Sequence, residues 1–166
     1  MFRKLFGKKE EPVNTIQLLS PITGKAVDLS AVPDPVFSEK MMGDGLAIEP
    51  SEGVVVSPVD GEIMQVFPTK HAVGIRARNG AEILIHIGLE TVSLKGEGFE
   101  THVSQGDKVK AGQKLVTFDL AVIGEKAKST VTPIIITNTD QAASLEKLNQ
   151  GNVEKGSTPV LEVTFN

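Results

Sequence analysis

The feature that most constrains this chain is its frequent interruption by turn-forming residues. It carries 16 glycines and 9 prolines in 166 residues. From Thr15 onward these residues separate short segments rich in Val, Ile and Leu, such as "GVVVSP", "GEIMQVF" and "AEILIHIG". Short β-prone segments at close spacing are typical of a sandwich or a barrel. We therefore predict an all-β fold, an antiparallel sandwich or barrel with short helical segments.

Helical signals are few and short. The segment "AVIGEKAK" predicts about two helical turns, and "TDQAASLEKL" begins with capping residues and then places Ala143, Leu145 and Leu148 on one helical face. The proline-rich segment "AVPDPVFSEKMMGDG" predicts a structured loop or a single helical turn. Because no linker divides the chain, we predict a single domain over residues 15–166 after a tail of residues 1–14.

The N-terminal tail allows two interpretations. In "MFRKLFGKKEE", Phe2, Leu5 and Phe6 recur at helical spacing and the residues between and after them are mostly basic. Such a segment could form an amphipathic helix that makes peripheral contact with anionic lipid. It could equally be a flexible polar tail, since isolated helices this short are marginal in water.

Composition excludes several classes of function. A formal net charge of −4 gives no reason to expect a nucleic-acid partner. The absence of cysteine excludes disulfides, thiolate zinc sites and cysteine nucleophiles, and is consistent with a reducing compartment. There is neither an apolar run of about 18 residues nor a signal peptide, so we expect a cytoplasmic protein.

Two segments narrow the fold further. "VVVSPVDGEIMQVF" and "VSQGDKVKAGQKLVTFD" resemble the opening and closing halves of lipoyl or biotinyl carrier domains, which implies a barrel-sandwich hybrid, a duplicated hybrid motif. Carrier domains of that kind need an exposed hairpin lysine between small or sulfur-containing residues. Neither Lys70 nor Lys95 has that setting, so a lipoyl-type carrier is disfavoured.

The most informative stretch is "KHAVGIRARNGAEILIHIG", which places histidines near both ends of a predicted hairpin. The "NG" dipeptide favours a two-residue turn in which Arg78 pairs with Ala81. That register places Val73 opposite His86 and makes His71 a diagonal neighbour of His86 on the same face. A three-residue bulged loop would break this parity. The alternative for each histidine is a core residue bonded to a carbonyl group.

Three chemistries could use two imidazoles on an apolar surface. Zinc binding would need a carboxylate and water beside the two imidazoles. A metallopeptidase of the related duplicated β fold would also have an H-x-H pair, and the chain has none. The third histidine, His102, stands alone in a polar turn and is predicted to lie on the surface. General base catalysis lacks a G-x-S-x-G or similar nucleophile motif. Phosphoryl carriage needs a neutral nucleophilic imidazole, a dry surround and a hydrogen-bond donor. It fits best, because no nucleotide-binding P-loop is present.

Five ordered segments carry a specific resemblance. "VPDPVFSEKMMGDGLAI", "VVSPVDGEI", "HAVGI", "ILIHIGLETVSLKGEGF" and "AKSTVTPIIITN" together resemble the glucose-class enzyme IIA of the bacterial phosphoenolpyruvate:sugar phosphotransferase system, in its free-standing form, from about Ser20 to the C-terminus. The resemblance implies a β-sandwich with a shallow apolar depression. It also implies a phosphotransferase component that accepts a phosphoryl group from the phosphocarrier HPr and passes it to enzyme IIB of a glucose-type sugar transporter.

The resemblance also assigns residues. It implies that His86 is phosphorylated through Nε2, that the backbone carbonyl of Gly88 orients its Nδ1–H, that His71 supports transfer and that Thr69 orients His71. It implies no required cofactor. In some relatives of the family the two histidines share zinc with a partner carboxylate, so the pair could hold zinc or act as a phospho-switch in a regulatory binding module.

The resemblance finally implies a partner surface on a protein that we expect to be monomeric. Asp34 and Glu90 match acidic positions that meet an arginine of HPr. The apolar ring around the histidines would consist of Val36, Phe37, Met41, Met42, Phe67, Leu84 and Val92. Adaptable methionines suit docking of more than one partner. The alternative for each apolar residue is simple core packing.

Overall fold

The chain folds into antiparallel strands joined by short connections over residues 14–166, which a computed structural model describes. The strands are β1 Thr15–Leu19, β2 Gly24–Asp28, β3 Asp44–Pro50, β4 Val54–Val56, β5 Gly61–Val66, β6 Ala72–Ala77, β7 Glu82–His86, β8 Phe99–Thr101, β9 Lys108–Val109, β10 Lys114–Phe118, β11 Thr132–Ile136, β12 Ser144–Lys147, β13 Gly151–Val153 and β14 Pro159–Thr164. The predicted tail lies outside the described residues except for Asn14, and the predicted domain boundary stays a prediction.

Within residues 14–166 two short helices accompany the strands, α1 Pro35–Ser38 and α2 Leu120–Lys126. Helix α1 is the single turn predicted for the proline-rich segment, and it begins where the Asp34 carboxylate accepts from the backbone N–H of Val36. Helix α2 confirms the prediction for "AVIGEKAK". Single 3-10 turns occupy Leu29–Ala31, Val92–Leu94 and Thr139–Gln141. Within residues 14–166 no helix is long and apolar enough to cross a membrane.

Three antiparallel sheets make a β-sandwich and confirm the predicted all-β class. The largest sheet has eight strands in the order β13-β2-β3-β11-β7-β6-β5-β9. Two three-stranded sheets have the orders β1-β14-β12 and β4-β10-β8. The helix predicted for "TDQAASLEKL" is wrong, because only its start forms a 3-10 turn and Ser144–Lys147 is strand β12. There Leu145 pairs with Val163 of β14, and tertiary pairing outweighs a weak helical pattern.

The sandwich repeats one local motif. In "SPITG" and "SPVDG" a buried serine hydroxyl, that of Ser20 or Ser57, donates to the carbonyl two residues further on, at 2.7 and 2.6 Å. The two motifs also exchange backbone bonds: the amide of Leu19 donates to the proline carbonyl of the second motif, and the amide of Val56 donates to that of the first. The connections β2–β3 and β5–β6, which follow the two motifs, therefore occupy equivalent places in the fold.

The eight-stranded sheet has apolar residues on both faces. In β7, Ile83 and Ile85 belong to the main core, whereas Leu84, between them in sequence, belongs to a second and smaller cluster on the opposite face. Side-chain alternation places His86 on the face of Leu84. The second cluster consists of Leu29, Val32, Phe37, Ala47, Ala72, Leu84, Leu89, Val131 and Ile135. Three of its members belong to the β2–β3 connection, and the cluster forms the floor on which the histidine lies.

The β6–β7 hairpin differs from the predicted register by one residue. Ala72, rather than Val73, lies opposite His86. The loop has three residues, with Ala77 bonding to Ala81 at 2.8 Å and with Gly80 at φ +94°. This is the bulged loop that breaks the predicted parity.

Candidate functional site

The two histidine side chains are neighbours even though the predicted register is wrong. His86 ends β7, and His71 lies just before β6. Their ring centroids are 4.9 Å apart and their planes cross at 79°. His71 follows Lys70, whose φ of +66° turns the chain, so strand alternation does not fix the direction of the His71 side chain. The predicted proximity is confirmed, but the hairpin loop is not its cause.

The tautomer of His86 follows from its backbone partner. Its Nδ1 lies 2.9 Å from the carbonyl oxygen of Gly88. Because a carbonyl only accepts, Nδ1 carries the proton and Nε2 keeps its lone pair. Burial lowers the pKa of His86, while the bond to Gly88 and the charge of Asp34 oppose that shift. The ring is therefore neutral at neutral pH, with one nucleophilic nitrogen.

The turn that presents this carbonyl requires glycine. Gly88 has a φ of +74°, and a Cβ there would lie 2.8 Å from Cγ2 of Thr91 and 3.0 Å from the carbonyl oxygen of Ser129. Both the backbone angle and the crowding exclude a larger residue. The family resemblance implied that the Gly88 carbonyl orients the Nδ1–H of His86, and the structure has this contact.

His71 is less exposed to solvent than His86. Only 4% of it is exposed, and the Thr69 hydroxyl lies 2.6 Å from its Nδ1. Burial, with a smaller contribution from His86, lowers the pKa of His71 to about 4. The ring is therefore neutral at neutral pH. Thr69 lies where it can hold the orientation of His71, as predicted.

Aromatic rings pack on the outer sides of the pair. The Phe37 ring centroid is 5.1 Å from that of His86, and the Phe67 ring is 5.6 Å from His71. Phe37 and Leu84 are only 4% and 6% exposed. Of the two predicted alternatives, these residues follow core packing, because both pack in the second cluster that forms the floor beside His86.

Four of the other five predicted apolar residues form an exposed rim, and the fifth, Phe67, is half-buried beside His71. Val36, Met41, Met42 and Val92 are the large hydrophobic residues that remain exposed within residues 14–166. Three of them lie on or just after α1 in the β2–β3 connection, and Val92 lies just beyond the turn that follows His86. Exposed apolar side chains grouped at one site are typical of a binding surface. We call these four residues the apolar rim.

The two predicted acidic residues differ in their setting. Asp34 is half-buried and its charge acts on His86, which places it at the site. Glu90 is exposed, with a φ of +58°, in the turn between Gly88 and Val92.

The third histidine, His102, lies on the surface, as predicted. It is exposed, and its Nε2 lies 3.0 Å from the Thr117 hydroxyl.

The histidine pair supplies only part of a metal site. No group of three or more His, Cys, Asp or Glu side chains that could hold an ion occurs among residues 14–166. A protein zinc site usually has three or four protein ligands. Zinc at His71 and His86 stays a prediction, and it would require a further ligand from another molecule.

Comparison with known proteins identifies the family. Residues 16–142 match the profile of the family described as "phosphoenolpyruvate-dependent sugar phosphotransferase system, EIIA 1". The chain is 60% identical to the "PTS system glucose-specific EIIA component" of Bacillus anthracis over 99% of both chains, and 55% identical to that of Staphylococcus aureus strain N315 over the full length of both. The solved structure "glucose permease IIA from Mycoplasma capricolum" matches with a TM-score of 0.84 at 43% identity, over 96% of this chain and 99% of that chain.

These matches confirm the predicted resemblance. The chain belongs to the EIIA components of the phosphoenolpyruvate-dependent sugar phosphotransferase system, in the glucose-specific group.

Two residues beside the site could not be singled out from the sequence. They are Thr91 and Thr132, two fully buried threonines whose hydroxyls form hydrogen bonds beside Gly88. A threonine in an apolar segment carries no signal that distinguishes a buried hydroxyl from an exposed one.

Proposed function

We propose that the protein is a phosphohistidine carrier in which His86 accepts a phosphoryl group from phospho-HPr and passes it to enzyme IIB of a glucose-type sugar transporter. The observation that carries this proposal is the bond from His86 Nδ1–H to the Gly88 carbonyl. It leaves Nε2 as the only nucleophilic nitrogen of that ring. The half-buried ring also lies on an apolar floor that limits access of water to the labile N–P bond.

The transfer step is a nucleophilic displacement at phosphorus. The Nε2 lone pair of His86 forms a bond to phosphorus while the N–P bond of the donor histidine breaks, and its electron pair returns to the donor imidazole. His86 keeps its Nδ1 proton, shared with the Gly88 carbonyl. The resulting positive ring stabilises the dianionic phosphoryl group until the same displacement transfers it to the acceptor.

His71 supports the phosphoryl group in this proposal and does not carry it. When the Thr69 hydroxyl donates to Nδ1 of His71, the proton of that neutral ring lies on Nε2. An Nε2–H group donates a hydrogen bond to a phosphoryl oxygen and has no lone pair with which to attack phosphorus. The two histidines thus hold opposite tautomers, one as nucleophile and the other as donor.

The apolar rim offers both partners one docking surface. Exposed Met41 and Met42 can adapt to two different faces, consistent with the successive use of one site by HPr and enzyme IIB. Asp34 and Glu90 would attract an arginine of HPr and speed encounter more than they raise affinity. Phosphorylation adds about −1.5 to −2 charges near these acids, which favours separation of the charged product. We further propose that the carrier acts as a cytoplasmic monomer.

A reconstituted transfer assay tests this function. The protein is combined with phosphoenolpyruvate, enzyme I, HPr and membranes that contain a glucose transporter lacking its own EIIA. We expect sugar phosphate to form only when the protein is present, and His86→Gln to abolish it. His102→Gln, a change of an exposed histidine away from the pair, is the matched control and should retain full transfer. A protein that is charged but passes nothing to sugar would instead support a regulatory module.

A further inference from the structure

The peptide group between Ile87 and Gly88 is held by two buried side chains. The hydroxyl of Thr91 donates to the Ile87 carbonyl oxygen at 2.7 Å. The hydroxyl of Thr132 lies 3.4 Å from the backbone nitrogen of Gly88 and accepts its N–H. The carbonyl and the N–H are the two polar ends of the same planar peptide group. The threonines therefore fix its orientation from opposite sides.

Both threonines are constrained in turn. Each is 0% exposed, so water cannot replace either hydroxyl. The Thr132 hydroxyl donates its own proton to the Thr130 carbonyl at 3.0 Å, which leaves a lone pair directed to Gly88. Thr132 begins β11, which pairs with β7, and Thr91 begins the turn that returns the chain after His86.

The next peptide group along the chain is the one that bonds to His86. Its carbonyl oxygen, that of Gly88, accepts from His86 Nδ1, and its amide, that of Leu89, donates to the Ser129 carbonyl at 2.9 Å. Gly88 lies between the two peptide groups, and its backbone is free to rotate because it has no side chain. The Leu89 bond holds the second peptide group on one side of Gly88, and the threonines hold the first peptide group on the other side. Without the threonines, the carbonyl beneath His86 would be held from the Leu89 side alone and could tilt away from Nδ1.

We propose that Thr91 and Thr132 are positioning residues that hold the Gly88 turn and thereby keep His86 in the tautomer with its proton on Nδ1. The inference rests on the proposed function of His86 only for its effect on transfer, because the tautomer is a property of the unphosphorylated protein. Neither threonine contacts the position of the phosphoryl group. Their effect is transmitted through one peptide group to the carbonyl beneath the ring.

Nitrogen NMR of the imidazole rings tests the proposal directly. The protein is labelled with 15N in histidine, and Nδ1 and Nε2 of His86 are assigned in wild type, Thr91→Val and Thr132→Val at neutral pH. In wild type we expect His86 to be protonated on Nδ1. In each valine variant we expect a substantial population protonated on Nε2, because the Gly88 carbonyl is then held from the Leu89 side alone. The effect should be larger for Thr91→Val, whose hydrogen bond is shorter.

The same variants are then measured in phosphoryl transfer from HPr. We expect kcat to fall about 10-fold in Thr91→Val with KM for HPr unchanged, since one hydrogen bond is lost and the docking surface is intact. Thr91→Ser and Thr132→Ser restore the hydroxyl without the methyl group and should recover the tautomer and the rate. A loss that came from altered packing alone would not be corrected by the smaller residue.

Ser20→Ala and Ser57→Ala are the matched controls. Both serines are 0% exposed and donate to a nearby carbonyl in the same manner, but they lie in the repeated motif and not beside Gly88. They should leave the His86 tautomer unchanged. Valine variants that keep the wild-type tautomer and rate would overturn the proposal, as would serine variants that fail to rescue. A tautomer shift in a protein that is never phosphorylated would overturn the carrier function but not this positioning role.

Discussion

Two equivalent connections of the repeated motif contribute very different parts of the site. The β2–β3 connection has fifteen residues, 29–43, and carries Asp34, α1 and most of the apolar rim. The β5–β6 connection has five residues, 67–71, and carries Phe67, Thr69 and His71. In the proposed function the long connection provides docking and the short one provides chemistry. A duplicated scaffold can therefore separate the two tasks by the length and content of equivalent loops.

The largest effect is expected in the short connection. His71→Gln removes the proposed donor to the phosphoryl group but keeps a polar side chain in its place. We expect kcat for transfer through His86 to fall by about 10²- to 10³-fold, with KM for HPr nearly unchanged. Steady-state transfer to sugar measures this split. A rise in KM with full kcat would show that His71 acts in docking, and would remove the distinction between the loops.

The burial of His71 predicts a dependence of stability on pH. Its pKa is lowered from 6.5 to about 4, so below pH 6.5 the unfolded chain binds a proton that the folded protein rejects. The free energy of unfolding should therefore fall by about 2 kcal/mol from pH 7 to pH 5 through this group. Urea unfolding measures the total loss, which His71→Gln should reduce by this amount and His102→Gln should retain. If the free energy of unfolding changes with pH as much in His71→Gln as in the wild type, His71 titrates with its ordinary pKa in the folded protein.

In the long connection a smaller and different effect is expected. The double change Met41→Ser and Met42→Ser removes exposed apolar surface from the rim without altering the histidines. We expect KM for HPr to rise about 10-fold, because contact burial of this size stabilises a complex by about 1–2 kcal/mol. The value of kcat at saturating HPr should stay unchanged, and the rise in KM should not depend on salt concentration. A fall in kcat alone would assign the long connection to chemistry.

The smallest effect concerns the charge of the same connection. Asp34→Asn removes the negative charge but keeps a residue that can cap α1. We expect KM for HPr to rise about 3-fold at low ionic strength and to approach the wild-type value in high salt, where screening is strong. Measurement of kcat/KM across a salt series checks this. If kcat/KM depends on salt concentration in the same way in the wild type and in Asp34→Asn, Asp34 does not steer the encounter with HPr.

Much of the fold could be predicted because local patterns and tertiary structure agree. Glycine and proline marked the ends of most strands, and the helical turn at Pro35–Ser38 followed from its prolines. The predictions that were wrong depend on long-range contacts. Asn79, in the β6–β7 loop, donates to the carbonyl oxygens of Asn14 and Val163, and the "NG" pattern cannot show these partners. Strand β12 likewise depends on its pairing with β14.

The placement of the histidine pair and of its hydrogen-bond partners could be predicted, and that of the residues packed around them less so. The resemblance named Thr69, and the structure places its hydroxyl beside His71. For Phe37, docking and core packing were both left open, because a sequence does not show which apolar residue of a loop turns inward. The proposed roles of Thr91 and Thr132 depend on which peptide group each hydroxyl reaches, and only the folded structure shows that.

The central claim is that the bond from His86 Nδ1–H to Gly88 reserves Nε2 for phosphorus. The measurement that tests it most directly is nitrogen NMR of 15N-histidine-labelled protein after charging with phosphoenolpyruvate, enzyme I and HPr. We predict one acid-labile phosphoryl group, with phosphorus–nitrogen coupling at Nε2 of His86 and the Nδ1 proton retained. Coupling at Nδ1 of His86, phosphorylation of His71, or a protein that is never charged would contradict the account.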